Sequence, residues 1–444
     1  MLQKHSSNLR RCVFLHKDYN KLYRRLAPSP PPIGAPYMLK GFWIRNFRSL
    51  QQIGIGSCFP KFVFIDDETD LFLYDLSPVT LFAGAAGSGK SSIIDSFNFV
   101  SDCFRYGVEA ACLKRGGFDA IYSQGGKGAL TFGFEYQQKG EADTATYAIS
   151  IFRTKNKVPY IESELLAYQR GEESLPVIFL QNGAEKSIRY LAPDERLSNA
   201  ELTKIEFTDH NRLGLAALES HPKFPVLASF RSLLANWTLC CFTPDPARGL
   251  DKSLPRRHDS PHGVSLSGLI RYIAKRYKNN LRALFTRVAA ALPNVDQILL
   301  DDTNPEKPQL TFQLKDRDVP IPITHLSSAT IRLFTYTLLM EEEEPAMLTI
   351  MEEPENGLDR EHRGILVEGL NRFRDTARPG FPQILLSSHH PAVVNGLHPA
   401  QVWILEKDRQ GFTAVERASD SVVFQSEEDF ADPQWFSTHF DEKR

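Results

Sequence analysis

The segment Gly84-Ala-Ala-Gly-Ser-Gly-Lys-Ser91 has the spacing GxxxxGK[ST], a loop suited to holding phosphates. Glycines at 84, 87 and 89 let the backbone turn tightly around Ser88 and bring its N–H groups onto phosphate oxygens. Lys90 offers a cation for β- and γ-phosphates, and Ser91 a hydroxyl for Mg2+. Ser92 starts a helical pattern whose N-terminal dipole also favours anions. Far along the chain, Glu352 and Glu353 end an apolar run. Adjacent carboxylates beside a phosphate loop can divide two tasks. Glu352 would hold the metal through water, and Glu353 would polarise an attacking water. His389, in Ser388-His-His-Pro391, can hydrogen-bond a γ-phosphate and register its loss. The set predicts Mg2+-dependent hydrolysis of a nucleoside triphosphate.

Such groups need strand tips and a helix start to position them. Val79-Thr-Leu-Phe-Ala83 reads as a buried strand before the loop, and Ser92-Ile-Ile-Asp-Ser-Phe97 as a helix after it. Ala346–Met351 reads as the strand that delivers the acids, and Gln383–Ser387 as the strand that delivers the histidines. A further strand is expected over Gln401–Glu406. Leu326-Ser-Ser-Ala-Thr-Ile-Arg332 precedes a helix expected over Leu333–Met340. Together these predict an α/β fold. The interval between Lys90 and Leu326 is too long for a loop. Alternation at 129–136, 146–152, 160–168 and 176–180 predicts an antiparallel β-lobe. Residues 194–293 read as mostly helical, with a mobile break over 244–261. The strongest helical pattern, Leu266–Leu292, carries Arg271, Lys275, Arg276, Lys278, Arg282 and Arg287 opposite its apolar face. That basic face reads either as a solvated flank or as a contact for nucleic acid or an acidic partner.

The 444 residues are 42% hydrophobic and 24% charged, as expected of a folded globular protein. Length alone suggests about three domain-sized units. A net charge of −2 excludes a globally basic nucleic-acid coat but not a local basic patch. No apolar run approaches the roughly 18 residues of a membrane span, and the start lacks a signal-peptide pattern. Six cysteines without a CxxC pair read as reduced thiols, so the expected location is cytoplasmic. Residues 1–37 read as a flexible basic, proline-rich arm. It is either a tether to DNA or a partner, or an extension upstream of a domain starting near Met38. The tail 427–444 is acidic and aromatic, with Phe430, Trp435, Phe436 and Phe440. It reads either as a docking peptide or as a segment packed on its own domain.

Phosphate loop, signature, Glu-Pro-Glu-Asn-Gly-Leu and histidine, in this order, resemble the ABC ATPase superfamily. More narrowly they resemble the branch holding RecF, the SMC proteins and OLD-type ATPases. Ile44-Arg-Asn-Phe-Arg-Ser-Leu50 resembles that branch's first strand. The resemblance implies a P-loop ATPase head of ABC type with an antiparallel β-lobe and an inserted helical subdomain. The implied division is arm 1–37, lobe I 38–193, helical insertion 194–325, lobe II 326–410 and tail 411–444. By resemblance, Arg48 approaches the nucleotide, and Ser327 and Ala329 lie in the signature that caps the γ-phosphate of a second subunit. Asp359 would be the D-loop residue crossing the dimer, His389 the switch histidine and Gln124 the Q-loop glutamine. Ala329 stands where glycine is usual, which puts the turnover rate in question, and Glu352 stands where aspartate is commoner.

The implied ligands are ATP and Mg2+, and the implied assembly is a homodimer around ATP or a higher oligomer. Too little chain follows His389 for the separate nuclease domain of OLD-type proteins. The expectation is therefore an ATP switch controlling a separate effector, a nuclease or toxin, as in the similar Septu anti-phage arrangement with its ATPase PtuA. The alternatives are a RecF- or SMC-like DNA-binding repair protein and a weakly hydrolysing nucleotide-gated scaffold.

Overall fold

The structure is a computed structural model that describes residues 37–57, 75–138, 144–170, 173–181, 187–190, 203–206, 211–217, 234, 237–240, 273, 280–301, 303, 309–343, 345–376, 382–421 and 434–436. The basic arm, the break over 244–261, most of 266–279 and most of the tail beyond 421 lie outside the described residues.

Val79–Ala83 (β3) is buried at every position, as a continuous apolar run covered on both faces requires. It sits in a six-stranded sheet of order β10 (Thr238–Cys240), β14 (Leu348–Glu352), β15 (Gln383–Ser388), β3, β16 (Val402–Lys407) and β17 (Thr413–Arg417). All neighbours pair in parallel except β17. Side chains alternate between two cores. Val79, Leu81 and Ala83 face one, and Phe82 the other; Ile384 and Leu386 join the first, and Leu385 the second. Parallel strands finish along one edge. The register sets Glu352 beside Ser387 and Ser388 beside Ala83, so loop, acids and histidines leave neighbouring strand tips.

The expected β-lobe is present. β1 (Tyr37–Phe47), β2 (Leu50–Gly56), β4 (Leu130–Gln138), β5 (Thr144–Arg153), β6 (Pro159–Arg170), β7 (Glu173–Gln181), β8 (Ser187–Tyr190) and β9 (Thr203–Glu206) form one antiparallel sheet. Helix α1 (Lys90–Tyr106) packs with both sheets through Phe97. Its ring lies 4.9 Å from Phe42, 5.6 Å from Phe134 and 5.0 Å from Trp237, spacings typical of favourable edge and tilted aromatic pairs. Gln383 ties the sheets polar-to-polar, accepting from the Leu39 N–H at 2.7 Å and donating to the Leu39 carbonyl at 2.9 Å. Two short helices follow, α2 (Val108–Leu113) and α3 (Phe118–Ile121), and a third, α4 (Gly214–Ala217), is capped by Glu164 of β6.

The second core is covered by α5 (Leu281–Ala291), α6 (Ser328–Glu341), α7 (Arg360–Asp375) and α8 (Pro391–Val394). A three-stranded sheet, β11 (Val295–Asp301), β12 (Gln309–Leu314) and β13 (Ile321–Pro322), adds to it. The interval 194–325 is therefore not wholly helical. Leu310 and Phe312 alternate inward along β12 and make it a strand, and β10 joins the parallel sheet. Of the long helix expected over 266–292, the described part begins at Leu281; Asn280, its N-cap, leaves helical geometry and donates its side chain to Glu343 at 2.8 Å. On the expected basic face, Arg287 is engaged by the Glu341 carbonyl at 3.1 Å and the Glu343 carboxylate at 3.5 Å.

The boundary expected at 411 also shifts, because β17 adds an antiparallel edge strand to the six-stranded sheet. Trp435 and Phe436 are buried in the second core; the Trp435 indole donates to the Leu397 carbonyl, and Asn395 accepts from the Phe436 N–H. That part of the tail packs on its own domain. Cys103 and Cys112 are free and buried; burial pushes the Cys112 thiol up to about 12 and Cys103 well above the usual range. Neither is poised as a nucleophile. Among the described residues, no helix is long and apolar enough to cross a membrane.

Candidate active site

The phosphate loop runs from the tip of β3 into α1. Gly84, Gly87 and Gly89 all have positive φ, 154°, 80° and 117°, a region that side chains strain to enter. Lys90 is buried, 4% exposed, and its ammonium donates to the Gly84 carbonyl at 2.6 Å and the Ala85 carbonyl at 2.8 Å. Ser88 is also buried, and its hydroxyl has no hydrogen-bond partner among the described residues. Ser91 is exposed at the helix start and Ser92 half-buried.

Glu353 is the meeting point of the site. Its backbone stands at φ 41°, a conformation costing about 1–3 kcal/mol unless its surroundings fix it. The Glu353 N–H donates to the Ser387 carbonyl at 3.1 Å and approaches the Ser387 hydroxyl at 3.2 Å. This turns the carboxylate out from the end of β14. Its Oε1 lies 3.1 Å from His389 Nδ1 and 3.9 Å from the Lys90 ammonium; its Oε2 accepts from Asn356 at 2.7 Å. Residues from three separated stretches thus converge on one carboxylate. Glu352, half-buried, is the last residue of β14.

Two further residues belong to this cluster, and the sequence did not single them out. Asn356 lies in the acidic run, and a side-chain donor three residues after an acid at a turn is the signal that marks it. Glu355 is buried and accepts from the Ser388 hydroxyl through Oε1, while its Oε2 has no hydrogen-bond partner among the described residues. Burial raises its pKa and favours the neutral acid. The two histidines divide as well. His389 faces Glu353, whereas His390 caps α8 by accepting from the Ala392 N–H at 3.1 Å.

The family model described as "AAA domain, putative AbiEii toxin, Type IV TA system" matches residues 79–395, which hold the loop, signature helix, acids and histidines. The chain belongs to this family. It is a P-loop protein of the AAA-domain type. Three solved structures are similar over most of the chain. An SMC head domain from Thermotoga maritima is 15% identical, with 86% of this chain and 98% of that chain covered, at a TM-score of 0.38. An SmcHead bound to the C-winged helix domain of ScpA is 14% identical, with 85% and 97% covered, at 0.43. The Smc head domain with an extended coiled coil, bound to the C-terminal domain of ScpA derived from Pyrococcus furiosus, is 12% identical, with 86% and 96% covered, at 0.48. These likenesses are remote, and the assignment rests on the family model. No curated protein matches the chain.

The other expected residues make contacts of their own. The Arg48 guanidinium pairs with Asp95 of α1 at 2.7 Å, and Asp95 also binds Arg115. Arg48 therefore lies against the helix that follows the phosphate loop. The segment expected as the signature forms the first turn of α6 rather than a loop before it. Ser327 caps this helix, its hydroxyl accepting from the Thr330 N–H at 3.0 Å, so the helix starts five residues ahead of the expected Leu333. Ala329 sits half-buried in that turn against the second core. Arg332, one turn on, donates to the Asn356 carbonyl and so ties the signature helix to the acidic turn. Asp359 is exposed and caps α7, accepting from the His362 N–H at 3.0 Å and meeting its ring at 2.8 Å; these bonds lower its pKa. Gln124 is exposed in a turn whose neighbour, Ser123, donates to the Arg48 carbonyl at 2.8 Å.

Proposed function

We propose that this ATPase-family chain hydrolyses ATP with Mg2+ and acts as a switch, with two copies closing around ATP to control a separate effector protein. The observation that carries the reading is the convergence of Lys90, His389 and Asn356 on Glu353. A carboxylate has about four lone-pair sites. The two hydrogen bonds it makes leave room on each oxygen for a water. With His389 protonated at Nδ1, the imidazole donates to Oε1 and Asn356 to Oε2, and both orient the carboxylate to take a proton from water.

The loop fits ATP as substrate. Its glycines open the backbone, Lys90 is fixed inside it, and the Ser88 hydroxyl is buried without a partner among the described residues. Mg2+, when bound, supplies charge neutralisation at the phosphate oxygens. Ser91 and Glu352 are the residues that would hold it. Mg2+ usually keeps several waters and takes one or two carboxylates besides phosphate, so a site with few protein ligands suits it.

Ser327 and Asp359 are exposed, as contacts with a second copy require. Ala329, with a methyl group where backbone would approach phosphate, leads us to expect slow turnover. The family description names a toxin and a toxin–antitoxin system, which supports a nuclease or toxin as the controlled effector in prokaryotic anti-phage defence. On the basic face that a nucleic-acid clamp would use, Arg287 is held by Glu341 and Glu343, while Arg282 is exposed.

Glu353→Gln tests the reading. Turnover should fall by about 100-fold or more while ATP is still bound, and the ATP-loaded variant should accumulate as a dimer in light scattering. Hydrolysis at the wild-type rate would remove Glu353 as the base. A wild-type protein without ATP hydrolysis would remove the enzymatic reading altogether.

A further inference from the structure

We propose that Thr413 is a positioning residue for the phosphate loop, and that the β16–β17 hairpin and Ser49 form a clamp that aims the loop's backbone. The inference rests on the ATP-binding reading above and concerns a part of the chain beyond the matched span 79–395.

The clamp touches the loop at both ends. A Cβ on Gly84 would lie 2.3 Å from the Leu405 carbonyl oxygen of β16, and one on Gly89 would lie 2.2 Å from the Thr413 hydroxyl. At Gly87 a Cβ would meet nothing within 4 Å. The first and last glycines of the loop are thus required by packing on the hairpin, and the middle one only by its backbone angle. The hairpin backs the loop, and the open side lies at Gly87.

The polar contacts are directional. The Thr413 hydroxyl donates to the Ser88 carbonyl at 2.8 Å, and the hydroxyls of Thr413 and Ser49 are 3.0 Å apart. The Lys407 ammonium approaches the Thr413 hydroxyl at 3.4 Å. A hydroxyl has one donor and two acceptor sites. With its proton on the Ser88 carbonyl, Thr413 accepts from Ser49 and Lys407 and is fully used. The Thr413 N–H also donates to the Ser49 carbonyl at 2.9 Å, and the Ser49 hydroxyl lies 3.4 Å from that of Ser92. Thr413 is 5% exposed, so water does not compete for these bonds.

The consequence follows from the planar trans peptide, in which C=O and N–H point in opposite directions. Holding the Ser88 carbonyl against Thr413 turns the Gly89 N–H away from the hairpin. A phosphate loop binds through such N–H groups, and fixing one before the ligand arrives removes a reorganisation cost from binding. Thr413 therefore contributes to affinity for the triphosphate while touching none of it.

The experiment measures ATP binding and steady-state kinetics, with Mg2+, on the full chain. Thr413→Val keeps the shape and loses the hydroxyl; ATP affinity should weaken about five- to tenfold, with KM rising and kcat changing less. Thr413→Ser restores the hydroxyl and should bind within about twofold of wild type. Ser49→Ala, which leaves the hairpin's side chains intact, should weaken ATP binding about two- to threefold. Wild-type affinity in Thr413→Val, or in a folded Ser49→Ala protein should Thr413→Val fail to fold, overturns the clamp. So does a Thr413→Ser protein as weak as Thr413→Val, because methyl packing would then be the cause. A wild-type chain that binds no ATP fails at the earlier step and overturns the ATP reading itself.

Discussion

In the antiparallel sheet, Glu164 is fully buried and accepts from the Tyr147 hydroxyl at 2.8 Å and from the N–H groups of Gly214 and Leu215. Both of its oxygens are occupied by the protein, and it serves as a cap. At the tips of the parallel sheet, Glu353 keeps 28% of its side chain exposed and gathers a lysine, a histidine and an asparagine. The chemical type is the same, and the topology makes the difference. Antiparallel strands alternate direction and spread their ends over two edges. Parallel strands end together, so residues distant in sequence arrive at one edge with room for a ligand between them.

Three measurements would break or sharpen that contrast, the largest effect first. Lys90→Ala should weaken ATP binding by about 100-fold, since it removes a charge-assisted contact to phosphate. Calorimetric titration with ATP reads it directly, and near-normal affinity would place the phosphates elsewhere. Next, His389→Ala should lower turnover by about tenfold, with ATP affinity close to wild type, if the imidazole acts through Glu353. A large loss of affinity without a change in turnover would make His389 a binding residue instead.

The smallest effect lies in the other sheet. Burial raises the pKa of Glu164, so the folded chain holds that proton at pH values where the unfolded chain has released it. Folding stability from this site should therefore fall as pH rises from the ordinary carboxylate range through the raised value. Glu164→Gln should flatten the fall of the thermal midpoint as pH rises above the ordinary carboxylate range, with turnover at fixed ATP nearly unchanged. A Glu164→Gln protein that loses ATPase activity while folded would erase the division between the two sheets.

The strands that carry the site were legible because each is a short apolar run ending in polar residues of marked type. Val79–Ala83 was expected over the same five residues that the structure shows. The helix after Arg332 was expected to begin at Leu333; the Ser327 cap adds a turn that hydropathy does not reveal. The helix start at Leu281 was hidden because Ile273, Leu284 and Phe285 keep a helical spacing past it. Glu355 and Asn356 stood in plain view beside Glu353. Which of the acids would be buried, and which would face Lys90, depended on the turn at Glu353.

The sequence by itself determined the chemistry's parts list: a phosphate loop, a pair of strand-end acids and a histidine, in an order that resembles one ATPase superfamily. Local patterns suffice for this, since loop spacing and apolar runs are encoded over a few residues. The tertiary structure alone decided the pairings. It set Glu353 against His389, gave Arg48 to Asp95, gave Arg287 to Glu341 and Glu343, and placed Thr413 behind the loop that begins at Gly84. Each of these pairs joins residues dozens to hundreds of positions apart. Their contact is fixed by strand order and register, which no single stretch of sequence contains.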